Sequence, residues 1–589
     1  MGMSTDSTDI GSSSNNNNSS SSSSNNKDDG WVEHELIKPR SIEKRRYQIS
    51  IASVARQKNT LVVLPTGLGK TTIALLLIAD TLKHGGRALF LAPTRVLVHQ
   101  HYNFLKEHIL HDGIAVLTGN TPRHERIEVW NSASVVCSTP QVTLNDIERG
   151  LIDAGDFALL VFDEAHRAVG DYSYGRIASL LADASSSSNS SSSSSSSTGA
   201  GVRIIGFTAT LPDDKEKVLE IASNLMIERI EVRDESSPDV RPYIQDTKIE
   251  FVTITLTPVM RRIREHVERA LQSRLEELKR LGVISSTRVN MSNLIEARES
   301  ISSIKGSTVP LYSAIRLSHA LKVLDTQGIT AFTRFYERLR EKKGGVGVRS
   351  LVEDRELKSA YELARGAELS GLEHPKLSRL VEILRREGFS SDEGYYSISS
   401  SSNNSNYRRG KALIFTSYRD SVEVITSRLI AEGFKVGYLI GKTGEYGLRQ
   451  EEQVEVVERF RAGEYSILVA TSVGEEGLDI AECNLVIFYD NVPSAIRFVQ
   501  RKGRTGRRMP GKVIVLVAKD TIDEAYHWIS RKKVRQVRSI VSIVNRIIAN
   551  RSGKDYRSNG KSSSEDGGSY GNNIYHSSAN LTNLDDFIR

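Results

Sequence analysis

The chain reads as an α/β protein: two doubly wound parallel-sheet domains with an all-helical insertion between them. Three observations predict this. Short β-branched runs alternate with helical patterns over 61–230, and the same alternation returns over 412–517. Between the two blocks the apolar residues recur at helical rather than strand spacing. Ser/Asn tracts interrupt the chain where neither pattern holds.

In order, residues 1–30 are Ser/Asn-rich and too polar to bury a core, so disorder is expected there. Residues 31–245 form the first α/β unit. Its strands are expected at Leu61–Leu64, Ala88–Leu91, Ser134–Cys137, Ala158–Phe162 and Val202–Phe207, continuous apolar runs suited to strands covered on both faces. A serine run over 185–199 sits inside this block and reads as a disordered loop expansion. Residues 246–390 are the helical insertion, of ordinary domain size. Leu271, Leu275, Leu278 and Leu281 mark one helix, ended by Gly282; Leu317, Ala320, Leu321 and Leu324 mark a second, before Gln327-Gly328. His374-Pro375 opens a third. A disordered linker follows at 391–408, then the second α/β unit at 409–550, with strands at Ala412–Phe415, Ile467–Ala470, Leu485–Phe488 and Val513–Val517. Residues 551–589 read as a disordered tail.

Composition narrows the function classes. No run approaches the ~20 apolar residues of a membrane span, and no membrane partner is expected. The N-terminus lacks the apolar core of a signal peptide. Two distant cysteines, Cys137 and Cys483, give no disulfide framework or metal cluster and are expected to be buried and reduced. With 79 basic and 72 acidic residues, the net charge of +7 permits nucleic-acid binding without demonstrating it.

The chemistry concentrates in three segments. Leu64-Pro-Thr66-Gly67-Leu-Gly69-Lys70-Thr71-Thr72 joins an expected strand to an expected helix. Backbone N–H groups at such a helix start cradle phosphates, Lys70 reaches the outer phosphate oxygens, and the Thr71 hydroxyl suits Mg²⁺. Leu64 stands where the strict motif has its first glycine, and the bland alternative is a glycine-containing turn with no ligand. Asp163-Glu164-Ala-His166 follows an apolar run, at the carboxyl end of a strand where such sheets bind ligands. Asp163 would hold Mg²⁺, partly through water, and Glu164 would orient or deprotonate the attacking water. The alternative is a helix N-cap; His166 by itself is more often a structural hydrogen-bonder. Gln500-Arg-Lys-Gly-Arg504-Thr-Gly-Arg507 places guanidiniums in a tight loop on the second unit. There they would stabilise the charge of a transferring phosphoryl group once the two units close.

These segments together resemble superfamily 2 helicases of the DEAH type, in the branch of archaeal Hef and the eukaryotic Fanconi-type (FANCM, Mph-like) proteins. The likeness covers about Arg45 to Lys533. It implies RecA-like motor domains, ATP and Mg²⁺ as cofactors, and site roles by motif. Arg45-Arg-Tyr-Gln48 resembles the Q motif that reads adenine. Ala92–Gln100 (with Thr94 and Arg95), Thr118-Gly119 and Thr139-Pro140 resemble the nucleic-acid-backbone motifs Ia, Ib and Ic. Thr208-Ala-Thr210 resembles motif III, which links hydrolysis to strand movement. Phe415-Thr416-Ser417 resembles motif IV. Thr471-Ser-Val-Gly-Glu-Glu-Gly477-Leu-Asp479 resembles motif V, implying phosphate contact by Thr471 and nucleotide contact by Gly477 and Asp479. Gln500–Arg507 resembles motif VI, which adds Gln500 to the catalytic set. Leu324–Gly328 resembles a segment of the Hef insertion, implying a grip on branched DNA.

The resemblance implies an ATP-dependent helicase or translocase acting on forked or branched DNA in repair, recombination or replication-fork restart. It would work in the cytoplasm on the nucleoid of an archaeon, or in the nucleus of a eukaryote. No Glu-Arg-Lys nuclease signature follows residue 550, so the nuclease half of Hef is expected to be missing. The C-terminal Leu581, Leu584, Phe587 and Ile588 resemble a sliding-clamp (PCNA) interaction motif without its usual glutamine. An RNA-directed motor like the Dicer or RIG-I helicases is the runner-up, and a non-hydrolysing scaffold is the alternative from a different class.

Overall fold

The computed structural model describes residues 30–153, 155–187, 202–245, 247–289, 291–298, 306, 308–341, 346–389, 410–442, 447–475, 478, 480–506 and 510–558. Two all-parallel sheets form its frame. The first contains β1 (Thr60–Val63), β2 (Ala88–Leu91), β3 (Ile114–Leu117), β4 (Val135–Ser138), β5 (Leu159–Phe162), β6 (Arg203–Thr208) and β7 (Arg229–Val232), in the order β3-β4-β2-β5-β6-β1-β7. The second contains β8 (Thr247–Ile254), β9 (Ala412–Phe415), β10 (Val436–Leu439), β11 (Ile467–Ala470), β12 (Leu485–Phe488) and β13 (Gly511–Ala518), in the order β10-β11-β9-β12-β13-β8.

Central strands such as β1, β2, β5, β9 and β12 are buried at every position. Their apolar side chains face helices on both sides, each contributing about 1.5–3 kcal/mol of transfer free energy. All strands of a parallel sheet end on one edge. The loops after β1, β2, β5, β9 and β11 therefore converge on one side of each sheet, and these loops carry the motifs.

Between the sheets lies a helical bundle built on Pro258–Arg280, Thr308–Gln327, Ile329–Glu341 and Arg355–Leu369. Met260, Ile263, Val267 and Ala270 pack on Leu317, Ala320, Leu324 and Phe332, all buried. Gly328, at φ +98°, makes the sharp turn between the second and third of these helices, and a Cβ there would lie 2.8 Å from that of His374.

Three expected boundaries shift. The insertion was expected to begin at 246, yet β8 pairs along its whole length with β13 in the second sheet. At its far end, Leu377, Leu380 and Leu384 of the helix Pro375–Arg386 pack on the second sheet's core, not on the bundle. The last helix, Ile522–Ser558, runs eight residues into the expected disordered tail. Its Val537, Val541, Val544 and Ile548 are buried in the core of the first sheet domain, although the chain there follows the second sheet. Asn545 fixes that contact: its side chain accepts from Ile230 N at 2.9 Å and donates to Ile230 O at 2.9 Å, on edge strand β7. Of the expected disordered segments 1–30, 185–199 and 391–408, residues 185–187 end the helix Ser173–Ser187, while 1–29, 188–199 and 391–408 lie outside the described residues, as does the clamp-like Leu581–Ile588. Both cysteines are buried and free, and burial pushes the Cys137 thiol up to about 12. Among the described residues no helix is long and apolar enough to cross a membrane.

Candidate active site

The loop after β1 holds its shape through side chains placed by the first helix, Arg46–Gln57. Tyr47 Oη donates to Leu68 O at 2.7 Å, and Gln48 Nε2 donates to the same carbonyl at 3.1 Å. Gly67 and Gly69 both lie in the left-handed region (φ 86° and 77°). A Cβ on Gly69 would meet Gln48 Nε2 at 2.3 Å and Thr72 Oγ1 at 3.1 Å. The backbone can therefore turn into the helix Lys70–Lys83 only without a side chain there. Lys70 Nζ is buried and has no hydrogen-bond partner among the described residues. A buried, unpaired ammonium at a helix N-terminus is chemically incomplete, and a phosphate oxygen would complete it.

The loop after β5 brings the carboxylates to the same place. Asp163 and Glu164 are both buried. Glu164 is one of four non-glycine residues with positive φ among those described (49°), a conformation costing of order 1–3 kcal/mol. Its carboxylate is 3.2 Å from His166 Nδ1. Burial raises its pKa, but the Lys70 ammonium above all, then His166 and Arg167, outweigh burial and hold it down to about 2. The group is therefore ionised, and a carboxylate there can accept a hydrogen bond from a water and orient or deprotonate it. His166 Nδ1 also lies 3.1 Å from Thr208 Oγ1, which donates to Thr210 O at 2.7 Å. The Asp-Glu-Ala-His loop and the Thr-Ala-Thr loop are thus joined.

One residue at the centre of the site was not singled out from sequence. His101 Nε2 is 2.8 Å from Asp163 Oδ2, and its Nδ1 is 3.5 Å from Thr71 Oγ1. The imidazole stacks on Phe90, with centroids 4.3 Å apart. It therefore bridges the two side chains expected to hold Mg²⁺. The only sequence signal was a histidine on the buried Val98–His101–Leu105 stripe of the helix Arg95–His108. Oxygen donors from Thr71 and Asp163 beside an unpaired lysine fit a divalent cation bound with phosphate.

The second sheet closes the cleft. A cavity of about 1380 Å³ is lined by Lys70, Asp163 and Glu164 on one side and by Glu475, Gln500 and Arg504 on the other. A neighbouring cavity of equal volume, reaching the other flank of the loop, includes Arg45 and Tyr243. The Arg45 guanidinium stands 5.2 Å from the Tyr243 ring centre, leaving a flat cationic-aromatic surface for a base. Thr66 Oγ1 crosses between the domains to donate to Gly503 O at 3.2 Å.

Arg504 is bonded to backbone carbonyls of its own domain. It donates to Leu478 O at 2.9 Å and Glu475 O at 2.6 Å. Glu475, also not assigned from sequence, is buried and clasps Arg497 (2.7 Å) and Arg501 (2.7 Å) of the helix Ala495–Lys502. Burial raises its pKa, and Arg501 first among its partners more than reverses this, holding the carboxyl below its ordinary value. Arg507, Gly477 and Asp479 lie outside the described residues.

The expected nucleic-acid contacts divide. Arg95 and Gly119 meet, since a Cβ on Gly119 would be 3.1 Å from Arg95 Nη2. Thr94 caps its helix by accepting from Leu97 N at 3.3 Å. Thr118, Thr139 and Thr471 are each more than nine-tenths buried. Thr416 departs from its expected role: it is fully buried, and its hydroxyl is committed to Asp490 Oδ2 (2.9 Å) and Gln327 Oε1 (3.2 Å). A hydroxyl with two internal partners and no solvent access is not an open phosphate contact in this conformation.

Comparison with known proteins agrees with this geometry. The family model for DEAD/DEAH box helicases matches residues 45–218, and that for the helicase conserved C-terminal domain matches 396–509. A model for the helical bundle of a provisional ATP-dependent RNA helicase group matches 259–371. The crystal structure of the Pyrococcus furiosus Hef helicase domain superposes with a TM-score of 0.61 at 36% identity, over 84% of this chain and 100% of that one. The chain belongs to the Hef-type helicase family. Within that family it is 39% identical to a Methanocaldococcus jannaschii protein provisionally named an ATP-dependent RNA helicase, over 87% of this chain and 62% of the relative. It is 32% identical to the Neurospora crassa ATP-dependent DNA helicase mph1, over 82% of this chain and 42% of the relative. The chain therefore spans less than two thirds of the curated relatives it matches. The two parallel-sheet domains with a helical bundle between them are the family's fold.

Proposed function

We propose that the chain is an ATP-dependent DNA helicase or translocase that remodels forked or branched DNA. The observation that supports this most is the shared cleft: phosphate-loop and carboxylate residues from one sheet face the arginine helix of another, with a helical bundle inserted between the sheets. Lys70 and the amides at its helix start would hold the phosphates. Thr71 and Asp163 would hold Mg²⁺, which neutralises charge on the phosphoryl oxygens when bound. Glu164 orients or deprotonates water and Arg45 frames the base, while Gln48, expected to read adenine, is buried with its amide nitrogen on Leu68 O and Tyr47 Oη and shapes the loop instead. Arg504 must leave the carbonyls of Glu475 and Leu478 to reach a phosphate, so hydrolysis would require the second domain to move. Gln500 and Arg507 would complete the arginine side. Thr94, Arg95 and Gly119 would follow the DNA backbone, giving affinity without sequence preference, and Thr118, Thr139 and Thr471 would join them only on opening.

ATPase and unwinding assays on single-stranded, duplex, forked and four-way DNA test the reading. Forked or four-way DNA should stimulate most, and Lys70→Ala should abolish hydrolysis. Normal hydrolysis by that variant would overturn the site assignment. The names of the M. jannaschii relative and of the helical-bundle model favour RNA as a second reading. In a direct competition, stronger ATPase stimulation by double-stranded RNA than by forked DNA would decide for it.

The tail, where Leu581, Leu584, Phe587 and Ile588 stand, is proposed to dock on a sliding clamp. Calorimetry with a chain lacking residues 584–589 tests this, and unchanged clamp affinity would refute it. A motor on chromosomal DNA would work at the nucleoid or in the nucleus.

A further inference from the structure

The segment Leu324–Gly328, expected to grip DNA, is buried. Asp325, Thr326 and Gln327 are 0%, 1% and 6% exposed, so their side chains cannot reach a bound nucleic acid. They instead form the joint between the helical bundle and the second sheet. Gln327 Nε2 donates to Asp490 Oδ2 at 2.8 Å, while Gln327 Oε1 accepts from Thr416 and Ser421 of that domain. Asp490 is held further by Ser417 N (2.6 Å) and Ser417 Oγ (2.8 Å). Arg501 Nη1 donates to Asp490 O at 2.9 Å, and Arg501 Nε to Glu475 Oε1 at 2.7 Å. The Glu475 carbonyl is one of the two that hold Arg504, with Leu478 O. On the bundle side, Arg264 of the helix Pro258–Arg280 donates to Asp325 Oδ1 at 3.0 Å, half a turn before Gln327. Buried polar contacts of this kind shift together, because breaking one strands a polar group in a low-dielectric interior.

From this continuity we infer that Gln327 is a positioning residue through which the helical insertion sets the arginine helix Ala495–Lys502. Displacement of the insertion by branched DNA would move Asp490 and Arg501, and with them the Glu475 carbonyl that restrains Arg504. The inference rests on the proposed action on branched DNA. It makes the insertion a regulator of hydrolysis as well as a DNA-contacting element.

The test uses the full chain, a forked DNA with two single-stranded arms, and a single strand of equal length. ATP turnover is measured as kcat and KM on each DNA, and fork affinity by fluorescence anisotropy. Gln327→Met keeps the volume and removes the hydrogen bonds. It should lower fork-stimulated kcat at least about fivefold, the lower end of ordinary coupling between sites. KM for ATP, fork affinity and single-strand-stimulated kcat should stay within about twofold. A fork-to-single-strand ratio kept by Gln327→Met would overturn the relay, as would an equal loss on both DNAs, which would mark mere structural support. A wild-type chain with no preference for the fork would remove the branched-DNA reading itself, and this inference with it.

Discussion

The phosphate loop is set by a contact between Gly69 and Gln48, and a double-mutant cycle isolates it. Gly69→Ala imposes two costs. An alanine in the left-handed region loses about 1–2 kcal/mol. Its Cβ also falls 2.3 Å from Gln48 Nε2, which must swing off Leu68 O and Tyr47 Oη. Those are two hydrogen bonds of a buried amide, about 1 kcal/mol each. In the natural background the substitution should therefore cost about 3–4 kcal/mol. In a Gln48→Ala background, where the amide is already gone, only the backbone cost of about 1–2 kcal/mol remains. The coupling between the two sites is then about 2 kcal/mol, well above the ~0.5 kcal/mol scatter of independent positions. Thermal unfolding of the four proteins reads it, at roughly 2–4 °C per kcal/mol for domains of this size. Binding of a fluorescent ATP analogue should weaken in parallel with the shift. Equal costs of Gly69→Ala in both backgrounds would refute the claim that Gln48 shapes the loop.

Further outcomes follow from other contacts. Glu164→Gln should lower kcat by about 10²–10⁴ while ATP affinity changes little, measured by single-turnover hydrolysis and equilibrium binding; an unchanged kcat would remove Glu164 from the chemistry. Lys376→Met should destabilise by about 3 kcal/mol, because Asp523 (2.8 Å away, both side chains fully buried) is left as an uncompensated charge; a loss under 1 kcal/mol in denaturant unfolding would contradict this. Asn545→Ala should speed amide exchange at Ile230, whose N–H loses its partner; unchanged protection would show that the helix packing alone seals β7. Burial raises Asp325 to about 6 despite Arg264, above the 3.8 of an exposed aspartate. The native state then binds the extra proton, so stability should rise as pH falls from about 6.5 to 4 and flatten below. Asp325→Asn should remove that slope in pH-dependent melting, and a slope that persists would assign it elsewhere.

The strands show what a sequence can and cannot reveal. All nine expected strands are interior to their sheets, and all four that went unread, β3, β7, β8 and β10, are sheet edges. An interior parallel strand is covered on both faces and reads as an unbroken apolar run. An edge strand keeps polar or exposed positions, such as Lys248 and Glu250 in β8 or Tyr438 (42% exposed) in β10, and its run dissolves. The site divides similarly. Lys70, Asp163, Glu164 and Arg504 were legible because each lies in a short local motif. His101 and Asp490 matter through partners far away in sequence, and nothing local marks them; Glu475 and Gln327 lie in segments the resemblance marked, but their roles come from distant partners. Thr416 shows the reverse failure: its identity fitted the motif, while its burial could come only from packing.

The last helix carries a mechanical consequence. The polypeptide passes between the two sheet domains twice, once between β7 and β8 and again along Ile522–Ser558, whose Val537, Val541, Val544 and Ile548 are seated in the first domain's core. Two bodies joined at two separated points have lost free translation, and what survives is rotation about the line between the joints. The helix acts as a crossbar of fixed length, with a rise of about 1.5 Å per residue. A nucleotide-driven stroke of the proposed motor would therefore be a swing about the line between these two joints, with a step set by the distance from that line to the DNA.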